Sequence, residues 1–383
     1  MRILHTADWH LGQSPHNIPL IPDQRYVLEQ LVSIAERERP DVVIIAGDVF
    51  DRSLPPPEAV ALLDWVIGRL VLDLGRRVIM IAGNHDSGER IGCFGGLLAQ
   101  RGLHLFGVPS LPVPSLVIND DDGPVRFHVL PFVEYYAARY LTGNDAIKSQ
   151  QQAYEALFAT LNTPPAERSV FVGHAFVTGG EAAGSERQLS VGGSEAVSAE
   201  LFARFSYAAL GHLHRPQSLL GGKIRYPGSL LAYSFDEAGQ KKSVSLVDMD
   251  GAGRTAVRTV DLIPRRPMRR IRGEITRGEF VREDEGTQPG GEDFIEVTLT
   301  NSEPVADAMA IVQQQFPNTL NLQWEQARLY GATTHTTADI IRSRTPLDLL
   351  RNFYLDMQGK ELTGSQLVLA RRAAEEAERE GRT

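Results

Sequence analysis

The chain has a single cysteine, Cys93, in 383 residues. One thiol cannot close an internal disulfide, so nothing here points to an oxidising compartment or to a fold stapled by cross-links. No run of about 18 uncharged apolar residues is present, which leaves no candidate membrane span. The first residues, Met1-Arg2-Ile3-Leu4-His5-Thr6-Ala7-Asp8, lack the apolar core and small-residue cleavage site of a signal peptide. The expected location is cytoplasmic. Positive charge is also scarce: 39 Lys and Arg against 48 Asp and Glu leave a net charge of −9. Any contact with nucleic acid must then come from a local patch, from bound metal ions or from a partner subunit. What remains, 42% hydrophobic and 23% charged residues, is ordinary globular composition in a chain long enough for two domains.

What is present is a repeated punctuation. Strand-like apolar runs at residues 3–7, 42–46, 78–82, 170–172 and 207–210 are each followed by a polar cluster. The clusters read Asp8-Trp9-His10, Gly47-Asp48, Gly83-Asn84-His85-Asp86, Gly173-His174 and Gly211-His212-Leu213-His214. Helical spacing over residues 24–37 and 57–74, and a helix through Leu97-Leu98, alternate with the first strands and imply a layered α/β architecture. Short strands at 103–106, 115–118 and 125–130, a helix near 154–161 and strands at 243–247 and 256–262 complete a sandwich of two sheets flanked by helices. This first domain is expected over residues 1–264. Pro264-Arg265-Arg266-Pro267 marks a boundary, and residues 265–330 read as a small α+β cap. Residues 331–383 read as a Thr-rich linker and two helices, near 346–357 and 365–379, with Thr345 as N-cap of the first. Loops are expected at 179–198 and 283–293.

Ligand candidates carried on several strand ends converge on one edge of a sheet, where open α/β sheets place their sites. Asp8, Asp48, Asn84, His10, His174, His212 and His214 supply two carboxylates, an amide and four imidazoles, more than one ion needs. They suit two. A nitrogen and oxygen set without thiolate fits Mn²⁺, Fe or Zn²⁺ better than Mg²⁺ or Ca²⁺. Asp48, between the two groups in sequence, is the natural bridge. Such a pair lowers the pKa of a shared water and neutralises phosphate oxygens. His85, adjacent to Asn84, is placed to give the leaving group a proton. Asp51 and Asp86 are expected to orient ligand imidazoles.

The five clusters, in this order, resemble the calcineurin-like metallophosphoesterase superfamily, D-x-H, G-D-x-x-D, G-N-H-[DE], G-H and G-H-x-H. By that resemblance one metal takes Asp8, His10, Asp48 and His214, and the other Asp48, Asn84, His174 and His212. A narrower resemblance, to the SbcD family of nuclease subunits of the bacterial SbcCD exonuclease, rests on residues 1–13, on Ala46-Gly47-Asp48-Val49-Phe50-Asp51 and on Ala209 to Arg215. Arg225-Tyr226-Pro227-Gly228-Ser229, Tyr233-Ser234-Phe235-Asp236-Glu237 and Lys241-Lys242 belong to it too. It implies a calcineurin-like β-sandwich in four layers with a small cap and a helical tail. It further implies a Mn²⁺-dependent, two-metal DNA nuclease, 3′→5′ on duplex ends and endonucleolytic at hairpins or single strands. A homodimer, an SbcC-type ATPase of the structural-maintenance class bound through the tail, and a nucleoid-associated role in repair also follow from it. Where archaeal and eukaryotic relatives have a second histidine, this chain has Asp51, as the bacterial branch does. Two other readings are open: a phosphoesterase for monoesters or cyclic nucleotides, and a scaffold subunit with a silent site.

Other features have blander readings. His5, His104 and His128 lie in strand-like runs and read as core residues, and His16 and His335 as loop surface. Arg52 imitates a phosphate-gripping arginine, but without the glycine that should follow, and reads as a solvated turn residue. Arg265, Arg266, Arg269, Arg270 and Arg272 either contact phosphate or line one solvated face of a strand. Leu347, Leu350, Phe353, Tyr354 and Met357 share a helical face, which packs on the core or on a partner.

Overall fold

The computed structural model describes residues 1–161, 167–182, 196–283 and 289–325, with isolated positions from 347 to 371. It divides into two units, Met1–Arg269 and Arg270–Thr383. The first begins with β1 (Arg2–Thr6), α1 (Ile21–Glu38), β2 (Val42–Ala46), α2 (Pro57–Gly68) and β3 (Arg77–Ile81). The short helices α3 (Gly88–Ile91) and α4 (Gly95–Leu98) lead to β4 (Leu103–Phe106) and the hairpin β5 (Ser115–Asp120) and β6 (Gly123–Leu130). Next come α5 (Tyr135–Thr142), α6 (Gln150–Phe158), β7 (Ser169–His174) and β8 (Tyr207–Gly211). The unit ends with β9 (Gln217–Leu219), β10 (Ile224–Tyr226), β11 (Ser243–Met249) and β12 (Thr255–Asp261).

Two six-stranded sheets result, in the orders β12-β11-β1-β2-β3-β4 and β5-β6-β7-β8-β10-β9. The runs β1 to β4, and β6, β7, β8 and β10, are parallel, so their C-terminal ends share an edge. Alternation along the strands builds the layers. Ile3, Ile44, Ile81, Phe127, Val172 and Ala209 fill the space between the sheets, while Val43 and Ile45, on the opposite face of β2, are equally buried. On the outer side of the second sheet, Phe171 and Leu210 pack with Tyr154, Leu157 and Phe158 of α6. Helices, sheet, sheet, helices is the four-layer sandwich expected.

Local departures have local causes. The expected helix over 57–74 ends as α2 at Gly68 and runs on into a wider π turn over Arg69–Asp73. The helix expected through Leu97-Leu98 is two four-residue pieces, because Phe94 between them is left-handed, with φ of 59°. Helix α5 and the three-residue strands β9 and β10 carried no periodic signal long enough to read.

The second unit starts on β13 (Met268–Thr276), followed by β14 (Glu279–Arg282), β15 (Phe294–Leu299), α7 (Ala308–Gln315) and β16 (Thr319–Trp324). Its sheet runs β14-β13-β15-β16 over a core of Ile271, Ile275, Val297, Leu299 and Val312. The arginine-rich stretch runs into β13, and its charges meet carboxylates: Arg266 pairs with Asp23, Arg270 with Glu296 at 2.7 Å and Arg272 with Glu325 at 2.8 Å. Solvated strand face, not phosphate grip, fits these pairs. Residues 331–340, Thr345, His335 and most of the two expected tail helices lie outside the described residues, as do residues 183–195 and 284–288 of the expected loops. Among the described residues no helix is long and apolar enough to cross a membrane.

One ion-pair cluster ties the chain start to the second sheet. Asp120 accepts from Arg168 at 2.6 and 2.9 Å and meets the Met1 ammonium at 2.7 Å. The Arg168 hydrogen bonds, with the Met1 ammonium, hold the Asp120 carboxyl well below the usual carboxylate range. A carboxyl lowered on folding stabilises fully above its unfolded pKa of about 3.9, and that contribution is lost as pH falls through the folded value. Thermal melts of Asp120→Asn are therefore expected to show a Tm several degrees lower than wild type at pH 7. The gap should close toward pH 2, and a gap that is constant with pH would rule the ion pair out as its source.

Candidate metal centre

The loops that leave β1, β2, β3, β7 and β8 meet at the shared edge. Two of them run side by side: Asp8 N donates to Gly47 O, His10 N to Asp48 O and Leu11 N to Val49 O, all near 3.0 Å. Asp8, His10, Asp48 and His212 all have positive φ, at 52°, 43°, 48° and 110°. Such non-glycine conformations are costly and cluster at functional sites, where the surroundings over-determine them. The preceding glycines are steric necessities. A Cβ on Gly83 would lie 2.1 Å from Asp48 Oδ1, and one on Gly47, itself at φ of 88°, would lie 2.4 Å from His174 Nδ1.

All seven ligand candidates come together. Asp48 sits in the middle: its Oδ2 is 3.3 Å from His174 Nε2 and 3.7 Å from His10 Nε2, and its Oδ1 accepts from His85 N at 2.9 Å. On one side, His10 Nε2 and His214 Nε2 approach to 3.0 Å beside Asp8, whose Oδ1 accepts from His212 N at 2.8 Å. On the other, Asn84 Oδ1 is 3.0 Å from His174 Nε2 and 3.1 Å from His212 Nδ1. His85 joins His10 and Asp48, its ring edge-on to His10 at 4.9 Å between centroids.

Burial and neighbouring charge set the electrostatics of this cluster. Burial pushes the Asp8 carboxyl up, and drives His10 and His212 down to about 3, so both imidazoles are neutral and offer lone pairs. Burial opposes charge on His174 as well, but the charge and hydrogen bond of Asp48 outweigh it and push His174 up to about 9. Burial likewise works to raise Asp48, yet His174, His10 and His85 hold it well below its usual value. Asp8 Oδ2 and His10 Nδ1 are buried with no hydrogen-bond partner. Orphaned buried acceptors, and two imidazole nitrogens 3.0 Å apart, are what a divalent cation satisfies. The residues present fit a metal pair.

The supports differ from expectation. Asp86 orients no imidazole: its carboxylate accepts from Val49 N, Phe50 N and Gly83 N at 2.8 to 3.0 Å, which commits both oxygens to backbone. It clamps the Asp48 loop against the Asn84 loop. The Asp51 carboxylate is 3.9 Å from His10 Nδ1, too far for a hydrogen bond, and it is the Asp51 carbonyl that accepts from His85 Nδ1, at 3.0 Å. The carboxylate that does orient an imidazole is Glu237, fully buried, accepting from His214 Nδ1 at 3.0 Å and paired with Lys242 Nζ at 2.6 Å. Lys242 also donates to His214 O and Ser229 Oγ, both at 2.9 Å. Gln24 donates to His10 O at 2.7 Å and accepts from Gly12 N at 3.0 Å, and Tyr233 OH donates to Trp9 O. None of these had a role in the sequence reading, although Tyr233, Glu237 and Lys242 lie in blocks that carry the resemblance. Arg52 is exposed and paired with Asp51 at 3.6 Å, and His16 is exposed, as expected of surface residues.

Two α/β sheets that gather Asp, Asn and His at their strand ends define the class of metallophosphoesterases. The sequence model of the Calcineurin-like phosphoesterase family matches residues 1–216, and that of the Type 5 capsule protein repressor C-terminal domain matches residues 264–358. The SbcD subunit of the SbcCD nuclease of Staphylococcus saprophyticus is 34% identical over 375 residues, 96% of each chain. Among solved structures, a dimetal phosphatase from Danio rerio covers 69% of this chain and 97% of its own at 14% identity and a TM-score of 0.42. The protein TT1561 of Thermus thermophilus covers 68% and 99% at 13% identity and a TM-score of 0.39. The chain belongs to the calcineurin-like phosphoesterase family and, within it, to the SbcD nucleases.

The Glu237 contact has a measurable consequence. Glu237→Gln keeps the shape but removes the charge that fixes His214 and balances Lys242. Titration calorimetry is expected to show Mn²⁺ affinity weakened by about 10- to 100-fold, with a lower Tm. Unchanged Mn²⁺ affinity would mean that Glu237 serves only to neutralise Lys242.

Proposed function

We propose that this chain is a Mn²⁺-dependent DNA nuclease, the phosphodiester-cleaving subunit of a complex with an SbcC-type ATPase. The observation that carries this reading is the match to the staphylococcal SbcD nuclease along 96% of both chains. The intact ligand set supports it. Asp8, His10, Asp48 and His214 would hold one ion, and Asp48, Asn84, His174 and His212 the other, with Asp48 shared. When bound, the two ions would supply an activated water and neutralise the phosphate oxygens. The chain's own residues do the rest. Asn84 and His174 are held together at 3.0 Å, and Glu237 keeps His214 Nε2 turned inward by taking its Nδ1 hydrogen. His85 spends Nδ1 on the Asp51 carbonyl, which leaves Nε2 to carry a proton to the leaving oxygen.

The partner reading extends the same match. Residues 331–383 would dock on the ATPase, Leu347 and Tyr354 lying on the face assigned to it, and the chain would act as a homodimer in the cytoplasm, near the nucleoid. Cleavage 3′→5′ at duplex ends and endonucleolytically at hairpins and single strands is the activity assigned. Acidic composition makes a protein that relies on its metals and its partner for DNA affinity the natural form.

End-labelled linear duplex incubated with Mn²⁺ tests this. Wild type should release product and Asp48→Ala none. His85→Asn should cut about 10²- to 10⁴-fold more slowly while binding the same number of Mn²⁺ ions. Turnover of small aryl phosphates with indifference to DNA, hairpins included and ATPase present, would overturn the nuclease reading.

A further inference from the structure

A second polar cavity lies far from the metal ligands. It has a volume of about 1330 Å³ and opens between the edges of the two sheets, where β12 of one faces β9 and β10 of the other. Arg225 of β10 pairs in register with Ala209, two residues before Gly211 on β8, and the cavity extends from there to Ser206 and Thr255. Thr255 pairs with Met249, whose N–H bonds to Met1 O at the start of β1. The metal ligands follow the other ends of β1 and β8. Five-residue strands put roughly 15 Å between the two places.

In a chain with a net charge of −9, the lining among the described residues is cationic: Arg204, Lys223, Arg225, Arg254 and Arg258 against a single carboxylate, Glu167. Glu167 is already taken by Arg126, which donates to both its oxygens at 2.8 and 2.9 Å. Arg254 pairs with Asp250 and Arg258 with Glu38. The other three cations have no carboxylate among the described residues. Arg204 donates to Phe158 O, Lys223 to Ala203 O, and Arg225 to Ser245 Oγ at 3.0 Å across the gap between the sheets. Arg225 is more than half buried, and burial lowers its pKa, the sign of a guanidinium short of an anion.

We propose that this cleft binds a phosphate-bearing anion, either a free nucleotide or a stretch of DNA backbone. Three uncompensated positive charges call for a ligand with two or three negative ones, which phosphoryl groups supply and a single carboxylate does not. The planar fork of Arg225 matches phosphate oxygens bidentately, and the hydroxyls of Ser206, Thr255 and Thr259 line the same cavity as further donors. Among the described residues no aromatic face is exposed there for a base to stack on, since Phe205, the one aromatic side chain of that lining, is buried. Recognition is of the phosphates, not of base identity.

The test uses the full-length chain in chelator, so that metal-held phosphate does not contribute, with the thermal transition followed to confirm folding. Calorimetric titrations with ADP and with a short duplex are made on wild type, Arg225→Gln, and the exposed pair Arg204→Gln with Lys223→Gln. Binding of at least one probe by wild type, weakened about tenfold or more in both variants, is the result expected. A loss confined to ADP assigns the cleft to free nucleotides. A loss confined to duplex, with the salt slope reduced by about one per cation removed, assigns it to DNA backbone. If Arg225→Gln fails to fold, the exposed pair decides alone. Absence of binding by wild type to either probe, or binding that the folded variants leave unchanged, overturns the proposal. Mn²⁺-dependent hydrolysis of a small aryl phosphodiester should be the same in all three proteins, which separates this cleft from the metal centre.

Discussion

A single buried carboxylate organises this molecule's edge. Asp48 stands between His174 on one side and His10 on the other, and the two sheets have to meet before His174 can reach it. β2 delivers Asp48, β3 delivers Asn84 and His85, β7 delivers His174, and the loop after β1 brings His10. So much polarity in a buried place is costly unless it is paired or metal-bound. The structure holds this polarity in place at the further cost of strained backbone, with glycines packed against the candidate ligands and the Asp86 clamp fixing the loops. Four candidate ligand residues at positive φ show that the geometry of the cluster, rather than local preference, sets the loops.

Behind the ligands lies a second layer of constraint that reaches across the chain. Glu237, Lys242 and Ser229 form a buried knot under His214, and Gln24 and Tyr233 hold the carbonyls of Trp9 and His10. Removing one member of a buried charge pair costs about 3–5 kcal/mol, because the other is left uncompensated. The knot is therefore stable as a unit and unforgiving of partial change. It also fixes which nitrogen of His214 faces the centre, a detail on which ligand behaviour depends.

Much of this was legible in the chain itself. The cluster that comes together was readable because each candidate follows a short apolar run, and because a glycine must precede a candidate where a Cβ would strike Asp48 or His174. The two-sheet sandwich was readable because Val42 to Ala46 and its counterparts are fully buried parallel strands, which appear as unbroken apolar runs. The supports were not. Glu237 lies 23 residues beyond His214 on a short 3-10 turn, where no periodicity marks it. Asp86 looked like an imidazole partner because it adjoins His85, but the loop closes so that its oxygens meet amides instead. Arg225 lay in a block that carries the resemblance, but only the pairing of β10 with β8 and the cavity shared with β12 show a cation with no carboxylate among the described residues.

On the proposed reading, Asp48 holds two metal ions at one edge of the sandwich. Electron paramagnetic resonance of the full-length chain titrated with Mn²⁺ tests it most directly. Two ions per chain with a spin-coupled signal are expected, with loss of that coupling in Asp48→Asn. One uncoupled ion in wild type, or a coupled pair that survives without the Asp48 carboxylate, would contradict it.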